Sequence, residues 1–282
     1  MCHLNLGSEF FVLEMLKVIF LGIVEGITEW LPVSSTGHMI LVDEFIKLNI
    51  TPAFKEMFLV VIQLGAILAV VMLYWNKLCP ITVKRGLKID QDSILLWMKV
   101  IVAVLPAAVI GLPFDDLLDA LFYNYQTVAV TLILYGILFI VLENRNKKVR
   151  PQVQTLEQLS FLKAIGIGCF QVLALIPGTS RSGATILGAM LIGCSREVAA
   201  EFSFFLAVPV MFGASLLKMY KFGLNYTADE IQILIVGLVT AFVVSVLTIK
   251  FLIAYIKTSD FKAFGYYRIV LGIIVFAYFL FS

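Results

Sequence analysis

Six stretches of about 20 residues in this chain contain at most two charged side chains each, and polar segments separate them. An α-helix needs about 20 apolar residues to cross the hydrocarbon core of a bilayer. We therefore predict membrane-spanning helices at 56–75, 93–113, 124–142, 198–217, 230–252 and 265–282. Charged residues make up 14% of the chain, against about 25% in soluble domains. The fold class is therefore an all-α polytopic membrane protein, and a net charge of +2 gives no reason to expect a nucleic-acid partner.

Two further apolar segments, 15–48 and 161–193, are too interrupted to span a membrane. Each contains a short apolar run, a turn rich in Pro, Ser and Gly, and a second short run. We predict that each is a re-entrant helical hairpin, which is tolerated in a membrane only where its open backbone faces protein or a wet cavity. Residues 1–14 are expected to form a short mixed lead-in. No cleavable signal peptide is expected, because Glu9 and Glu14 precede the first apolar run in place of basic residues.

The two halves of the chain follow the same plan. Gly22-x-x-Glu25 in the first half matches Gly168-x-x-Gln171 in the second, and a turn with Pro, Ser and Gly follows in both. Each half carries one hairpin and three spans, and an odd number of spans makes the repeat inverted. Inverted repeats with broken helices hold their site at the repeat interface. The predicted units are a first repeat at 1–142, a cytoplasmic linker at 143–160 and a second repeat at 161–282.

The charges of the loops predict an orientation. Three basic loops fall on one side of this arrangement, at 76–92, 143–160 and 253–264. The loop at 114–123 falls on the other side and is acidic, with Asp115, Asp116 and Asp119. By the positive-inside rule the basic side is cytoplasmic and both termini lie outside. Lys218 and Lys221 would lie on the outer side and count against this orientation.

Glu25 and Glu29 lie four residues apart, so a helix places both on one face. Two carboxylates in an apolar segment repel each other unless a cation lies between them. A hard divalent cation, Mg²⁺ or Ca²⁺, takes oxygen ligands of this kind. We therefore predict a metal site at Glu25 and Glu29. The alternative is that one carboxylate faces water at the end of the segment and has no role.

A hydroxyl-rich turn follows, with Ser34, Ser35 and Thr36 before Gly37 and His38. One of these hydroxyls is expected to cap the helix that follows, and a helix N-terminus also binds anions. His38 lies three residues after Ser35, so we predict that a helical turn brings the two side chains together. Ser35 as a nucleophile with His38 as proton acceptor is chemically coherent. The reverse assignment, His38 as nucleophile or as the acid for the leaving group, stays open.

The matching turn in the second half, from Pro177 to Thr185, contains Arg181. A guanidinium among hydroxyls and glycines suits phosphate oxygens, which it binds with two parallel hydrogen bonds. The alternative is an Arg that reaches for the membrane interface. The residues expected to contact a phosphate besides Arg181 are Ser34, Thr36, Ser180, Ser182, Gly183, Thr185 and Gln63. Gln63 and Glu201 either line the same cavity or make ordinary interhelical hydrogen bonds, and the latter is expected for Gln171.

These motifs resemble those of the undecaprenyl-diphosphate phosphatase, or bacitracin-resistance, family. The resemblance rests on four motifs, which are Glu25-Gly-Ile-Thr-Glu29-Trp-Leu-Pro-Val-Ser-Ser-Thr-Gly-His38, Pro177-Gly-Thr-Ser-Arg-Ser-Gly-Ala-Thr185, Val61-Ile-Gln-Leu-Gly-Ala-Ile-Leu-Ala-Val70 and Glu201-Phe-Ser-Phe-Phe-Leu-Ala-Val-Pro209. It implies a metal-dependent enzyme that removes the terminal phosphate of undecaprenyl diphosphate. The product is the lipid carrier of cell-wall synthesis, and more of the enzyme gives bacitracin resistance.

The resemblance also implies residue roles and a location. It assigns Glu25 and Glu29 as the carboxylates, Ser35 and His38 as the serine and histidine, and Arg181 as the phosphate-binding arginine. It places the protein in the bacterial cytoplasmic membrane with the site open to the outer face. The oligomeric state stays open between a monomer and a homodimer.

A different class of function also fits the architecture. A transporter or flippase for polyprenyl phosphate uses inverted repeats with broken helices, and it would bind the lipid phosphate through the same Arg181. A carrier has no need of a nucleophile at Ser35 beside His38 and would not turn over its ligand. A membrane scaffold without a ligand is the least favoured alternative, because charged groups at bilayer depth are costly unless they have a role.

Overall fold

The structure is a computed structural model that describes residues 5–82, 88–223 and 225–281. Within these ranges the chain is almost entirely helical. The α-helices are α1 (Asn5–Thr28), α2 (Ser35–Phe45), α3 (Pro52–Val61), α4 (Gln63–Leu73), α5 (Trp75–Leu78), α6 (Gln91–Phe122), α7 (Tyr125–Asn146), α8 (Phe161–Val172), α9 (Arg181–Leu191), α10 (Arg196–Phe222), α11 (Ala228–Thr258) and α12 (Lys262–Phe281). A short 3₁₀-helix at Leu173–Leu175 follows α8. Two two-residue strands, β1 (Ile81–Thr82) and β2 (Lys88–Ile89), pair antiparallel.

Six helices are long and apolar enough to cross a membrane, with mean hydropathies between 1.7 and 2.5. They are Pro52–Leu73, which joins α3 and α4, Gln91–Phe114 within α6, Tyr125–Asn146, Arg196–Phe222, Ala228–Thr258 and Lys262–Phe281. All six predicted spans are therefore confirmed as membrane-capable helices. Their outward side chains are large and apolar, for example Val109, Val130 and Leu247. Such a broad apolar surface is unsuited to water and suits lipid.

Several boundaries differ from those predicted, and the loop predicted at 253–264 is shorter because α11 ends at Thr258 and α12 begins at Lys262. The lead-in at 1–14 is helical from Asn5 onward, because the apolar run extends back to Phe10 and continues into the first hairpin. The loop at 114–123 is also wrong, since α6 continues to Phe122. Its last turns carry apolar residues at helical spacing, from Phe114 to Phe122, and this pattern outweighs Pro113. The side chains of Asp115, Asp116 and Asp119, on which the acidic prediction rested, lie outside the described residues.

The start of the predicted linker at 143–160 is helical as well, because α7 ends at Asn146. Glu143 is fully buried there. It accepts hydrogen bonds from the Arg196 guanidinium, at 2.9 and 2.5 Å, and from the backbone N–H of Phe261, at 3.0 Å. Glu143 therefore fastens α7 to the starts of α10 and α12 and is not part of a solvated loop.

The first helix of each predicted hairpin packs on a long helix of the other half. In α1, Gly22 faces Thr240 of α11 and Gly26 faces Val244, so the two helices run parallel. Since Val244 lies near the middle of α11, α1 ends about halfway along its neighbour. In the same way, α8 packs on α6, where a Cβ on Gly168 would collide with the Ala103 carbonyl. Both hairpin turns therefore lie inside the helical bundle.

The largest hydrophobic core surrounds α9 and α10. Its biggest fully buried side chains include Trp30, Phe139, Phe204, Phe205 and Phe261. Trp30 lies in the first hairpin turn and packs edge-on against Phe204 of α10, with ring centroids 5.3 Å apart. This contact seats the first turn against the second half of the chain.

Candidate active site

Each hairpin turn is built around a strained serine. Ser34 and Ser180 have φ angles of 75° and 70°, and no other non-glycine residue in the described ranges has a positive φ. Backbone strain of this kind costs about 1–3 kcal/mol and persists where the surroundings impose it, often at functional sites. Each serine also caps the next helix, since the Oγ atoms accept from the N–H groups of Gly37, at 3.2 Å, and Gly183, at 3.1 Å.

These two caps set Ser35 and Arg181 as the first residues of α2 and α9, and both contact Glu29. Arg181 donates to Glu29 Oε1 from Nε, at 3.3 Å, and from Nη2, at 3.0 Å. Ser35 Oγ donates to Glu29 Oε2, at 3.1 Å. The Glu29 and Arg181 side chains are only 7% and 11% exposed. The structure therefore joins a carboxylate and a hydroxyl of the first turn to a guanidinium of the second.

The remaining guanidinium nitrogen of Arg181 faces α10. Arg181 Nη1 donates to the Ser203 carbonyl at 2.7 Å, and the Ser203 and Thr185 hydroxyls are hydrogen-bonded at 2.7 Å. The guanidinium also lies over the Trp30 ring, 5.7 Å from its centroid. These contacts hold the Arg181 fork in one direction, as a phosphate-binding group requires.

A second arginine ties the two turns together. Arg268 of α12 is fully buried and donates to the carbonyls of Pro32, at 3.3 Å, Gly178, at 2.8 Å, and Thr179, at 2.9 Å. Its guanidinium lies over the ring of Tyr135 in α7. Arg268 of α12 therefore connects the two turns through their backbone carbonyls and contacts α7 through the Tyr135 ring.

Ser182 makes a further connection between the turns. It is buried, and its hydroxyl donates to the Glu29 carbonyl, at 3.0 Å. The Ser182 and Ser180 hydroxyls are also hydrogen-bonded, at 3.1 Å. The position of Glu29 is thus fixed through its backbone as well as through its carboxylate.

The structure does not pair Ser35 with His38. The His38 ring bonds the Ser34 carbonyl through Nδ1, at 2.6 Å, and the Tyr267 hydroxyl through Nε2, at 2.7 Å. No hydrogen bond joins them, because the Ser34 carbonyl and the Tyr267 hydroxyl occupy the imidazole nitrogens, while Glu29 accepts from Ser35. Within the described residues, the nearest proton acceptor of Ser35 is therefore Glu29.

Glu25 lies one helical turn before Glu29 and is 2% exposed, and its Oε1 has no hydrogen-bond partner among the described residues. An orphaned buried carboxylate oxygen is what a cation would satisfy. No group of three or more His, Cys, Asp or Glu side chains gathers around it in the described part of the chain. Mg²⁺ is commonly held by one or two carboxylates together with waters and substrate phosphates. The donor set of Glu25 and Glu29 fits that pattern and would be incomplete for an ion held by protein alone.

Several candidate residues lie outside this network. The side chains of Thr36 and Gln63 make no hydrogen bond in the described part of the chain, and Gln63 is half-buried at the start of α4. Glu201 pairs with Lys77, at 2.7 Å. The interhelical hydrogen bond expected for Gln171 is wrong, since neither its Oε1 nor its Nε2 has a hydrogen-bond partner among the described residues.

Sequence reasoning missed three residues of the site, Ser203, Tyr267 and Arg268. Arg268 is the single charged residue of a predicted span. A charge within an apolar segment is the signal that pointed to Arg181, and the same signal could have found Arg268. Ser203 lies inside a motif with an unusual run of aromatic residues. Tyr267 carries no such signal, because tyrosines are common in membrane helices.

Comparison with known proteins shows which family the chain belongs to. The model of the family described as bacitracin resistance protein BacA matches residues 18–274. The chain belongs to the BacA family. An undecaprenyl-diphosphatase of Acetivibrio thermocellus is 65% identical over 269 residues, which cover 95% of this chain and 99% of the relative.

Two further BacA relatives have similar coverage. The undecaprenyl-diphosphatase 1 of Clostridium acetobutylicum is 62% identical over 95% of this chain and 98% of its own length. An undecaprenyl-diphosphatase of Enterococcus faecalis is 62% identical over 93% of this chain and 96% of its own length. The BacA match contains both hairpin turns, from Glu25 to His38 and from Pro177 to Thr185, and it extends beyond Arg268.

Proposed function

We propose that this chain hydrolyses undecaprenyl diphosphate to undecaprenyl phosphate and inorganic phosphate in the bacterial cytoplasmic membrane. The names of its close relatives support the substrate. The geometric observation that carries the proposal is the meeting of Arg181 with Glu29 and Ser35 inside the bundle. A phosphoryl-transfer site needs a cationic group on the phosphate oxygens, a nucleophile and a group that takes its proton. Here these are the Arg181 guanidinium, the Ser35 hydroxyl and the Glu29 carboxylate.

The hydrogen-bond directions suggest the role of each residue. Ser35 attacks the terminal phosphorus, and its proton goes to Glu29 Oε2, which already accepts from that hydroxyl. The bond between this phosphorus and the bridging oxygen breaks, and undecaprenyl phosphate leaves. The lipid phosphate departs as an anion, and His38 takes a proton from the water that hydrolyses the phosphoserine. Glu29 returns its proton to the Ser35 oxygen as the bond between phosphorus and serine breaks. Arg181 holds the non-bridging oxygens during both steps.

A divalent cation, Mg²⁺ or Ca²⁺, belongs to this proposal, with Glu25 and Glu29 as its protein ligands. When bound, it supplies positive charge to the phosphate oxygens and relieves the repulsion between the two carboxylates. The buried Oε1 of Glu25 supports this assignment, because it has no hydrogen-bond partner among the described residues.

We also propose that the chain is an inverted repeat, 1–142 and 161–282, with a re-entrant hairpin in each half. The packing favours it, because the first helix of each half lies along a long helix of the other half. α1 of the first half packs along α11, and α8 of the second half packs along α6. Both helices end about halfway along these neighbours, as re-entrant helices do. The matched strained serines, Ser34 and Ser180, support the same correspondence.

The proposed orientation places the end with Lys77, Lys250 and Lys257 in the cytoplasm. The site then opens to the outer face, where the diphosphate lipid would be met. Lys218, which counts against this orientation from sequence, forms an ion pair with Glu56. Its charge is thereby compensated locally.

The test is phosphate release by purified protein in detergent, with undecaprenyl diphosphate as substrate. We expect release with Mg²⁺ and none with excess EDTA. Ser35→Ala should abolish release, whereas Ser259→Ala, which lies outside the site at the end of α11, should retain it. Absence of release from folded protein with either metal would overturn the proposal. Transport of the lipid phosphate in vesicles would then be measured, since exchanged half-helices also occur in carriers.

A further inference from the structure

His38 is held at both ring nitrogens by groups from different parts of the chain. The Ser34 carbonyl can only accept a hydrogen bond, so Nδ1, at 2.6 Å, carries a proton. In a neutral imidazole the other nitrogen then has a lone pair. The Tyr267 hydroxyl lies 2.7 Å from Nε2, and in this neutral form it is the donor. The contacts therefore select one tautomer and leave Nε2 as the atom that exchanges protons.

The position of Tyr267 is itself fixed relative to the two turns. The next residue on α12 is Arg268, which is anchored to the backbone of both turns. The rings of His38 and Tyr267 are nearly parallel, with an interplanar angle of 8° and centroids 5.6 Å apart. Tyr267 therefore meets the imidazole with its hydroxyl and with its ring. It is 47% exposed, so its contact with His38 lies at the surface of the helical bundle.

We propose that Tyr267 is a positioning residue for the reaction, acting through His38. Its hydroxyl holds the imidazole through Nε2 and maintains the tautomer with a proton on Nδ1. In the hydrolysis step the attacking water takes the place of the tyrosine hydroxyl and gives its proton to the lone pair on Nε2. This inference rests on the proposed hydrolysis, since it assigns His38 as the group that takes a proton from that water.

The kinetic consequence is specific. A residue that only orients the proton-transfer group affects the transition state more than substrate binding. Tyr267→Phe keeps the ring stack and removes the hydroxyl. We expect kcat to fall about 10- to 100-fold, as for a small misplacement of a catalytic group, with KM for undecaprenyl diphosphate unchanged. The neighbouring Tyr266 is 58% exposed and has no hydrogen bond in the described part of the chain, so Tyr266→Phe is the matched control and should retain the parent kcat.

A spectroscopic test does not depend on activity. The chain has two histidines, His3 and His38, so a His3→Gln parent leaves His38 as the single histidine. The ¹⁵N chemical shifts of its ring distinguish a protonated nitrogen from a nitrogen with a lone pair. We expect the parent to show a proton on Nδ1 and a hydrogen-bonded lone pair on Nε2. Tyr267→Phe should shift the Nε2 resonance to that of a free nitrogen, and Tyr266→Phe should leave it in place.

The outcomes distinguish a failure of the proposed hydrolysis from a failure of the positioning role of Tyr267. If the parent releases no phosphate, the proposed hydrolysis fails, whatever the spectra show. If the parent turns over and Tyr267→Phe keeps its kcat, the positioning role is wrong. A parent spectrum with the proton on Nε2 would also overturn the inference, and this measurement needs no variant at Tyr267. A lower kcat together with the shifted Nε2 resonance would establish the role.

Discussion

Replacing Arg268 with methionine tests whether one buried guanidinium holds the two hairpin turns in register. Arg268 is fully buried, and its acceptors in the turns are backbone carbonyls. Methionine fills a similar volume without charge or donors. The variant therefore removes the connection between Pro32 in the first turn and Gly178 and Thr179 in the second, while the packing around α12 stays nearly the same.

The expected loss can be worked from these contacts. A hydrogen bond from a charged donor contributes about 1.5–3 kcal/mol, so three bonds give about 4.5–9 kcal/mol. Burying the guanidinium costs several kcal/mol in the native protein, and the variant avoids that cost. The net destabilisation of Arg268→Met should therefore be about 2–5 kcal/mol. Turnover should fall about 100-fold or more, because catalysis is sensitive to displacements near 1 Å.

Unfolding in detergent by denaturant, together with phosphate release, measures both effects. Arg145→Met is the matched control, since Arg145 is exposed in the last turn of α7. Its loss should cost less than about 1 kcal/mol, the contribution of a charge at a helix end. If Arg268→Met equals the parent in stability and in turnover, the two turns do not depend on this guanidinium, and our reading of the site's assembly is wrong.

Three further changes have distinct expectations. Glu25→Gln replaces a buried carboxyl group whose Oε1 has no hydrogen-bond partner among the described residues. Without metal the thermal midpoint should therefore not fall, whereas the upward shift on adding Mg²⁺ should vanish. A retained shift would exclude Glu25 as a ligand. Ser180→Gly and Ser180→Ala both remove the helix cap, but only glycine adopts a φ of 70° without strain. The glycine variant should therefore be more stable than the alanine variant by about 1 kcal/mol. Equal denaturant midpoints would show that the backbone at Ser180 is not strained. Gly168→Ala should destabilise the protein by about 1–3 kcal/mol, because the new Cβ would collide with the Ala103 carbonyl. The control is Gly213→Ala, whose Cβ would lie in open space and should not destabilise the protein. Equal unfolding midpoints for the two variants would refute the close packing of α8 on α6.

The spans were predictable from sequence because the membrane imposes a length and a composition on every helix that crosses it. The chemistry of Glu29 and Arg181 was visible for a related reason, since a charge within an apolar run has few neutral explanations. The sequence did not indicate that these two residues would contact each other directly. That contact depends on how the two turns meet, which only the fold determines.

Local spacing misled at Ser35 and His38. Their separation by three residues predicts neighbours on a regular helix, but α2 begins at Ser35, and the strained Ser34 before it turns its carbonyl towards the imidazole. Tyr267 could not have been chosen among the chain's 10 tyrosines. It comes to His38 from 229 residues away, through the packing of α12 against α2, and no local pattern encodes that distance.

The packing of α1 along α11, a helix of the other half, has a consequence for biosynthesis. The helix that carries Glu25 ends at Thr28, and the helix on which it rests begins at Ala228, 200 residues later. At a synthesis rate of about 5–20 residues per second, the ribosome needs about 10–40 s to produce that partner. During this interval α1 lacks the helix along which it packs, although α2 and α4, which also contact it, have already been made. The buried carboxylates Glu25 and Glu29 therefore reach their final surroundings only after most of the protein has been synthesised.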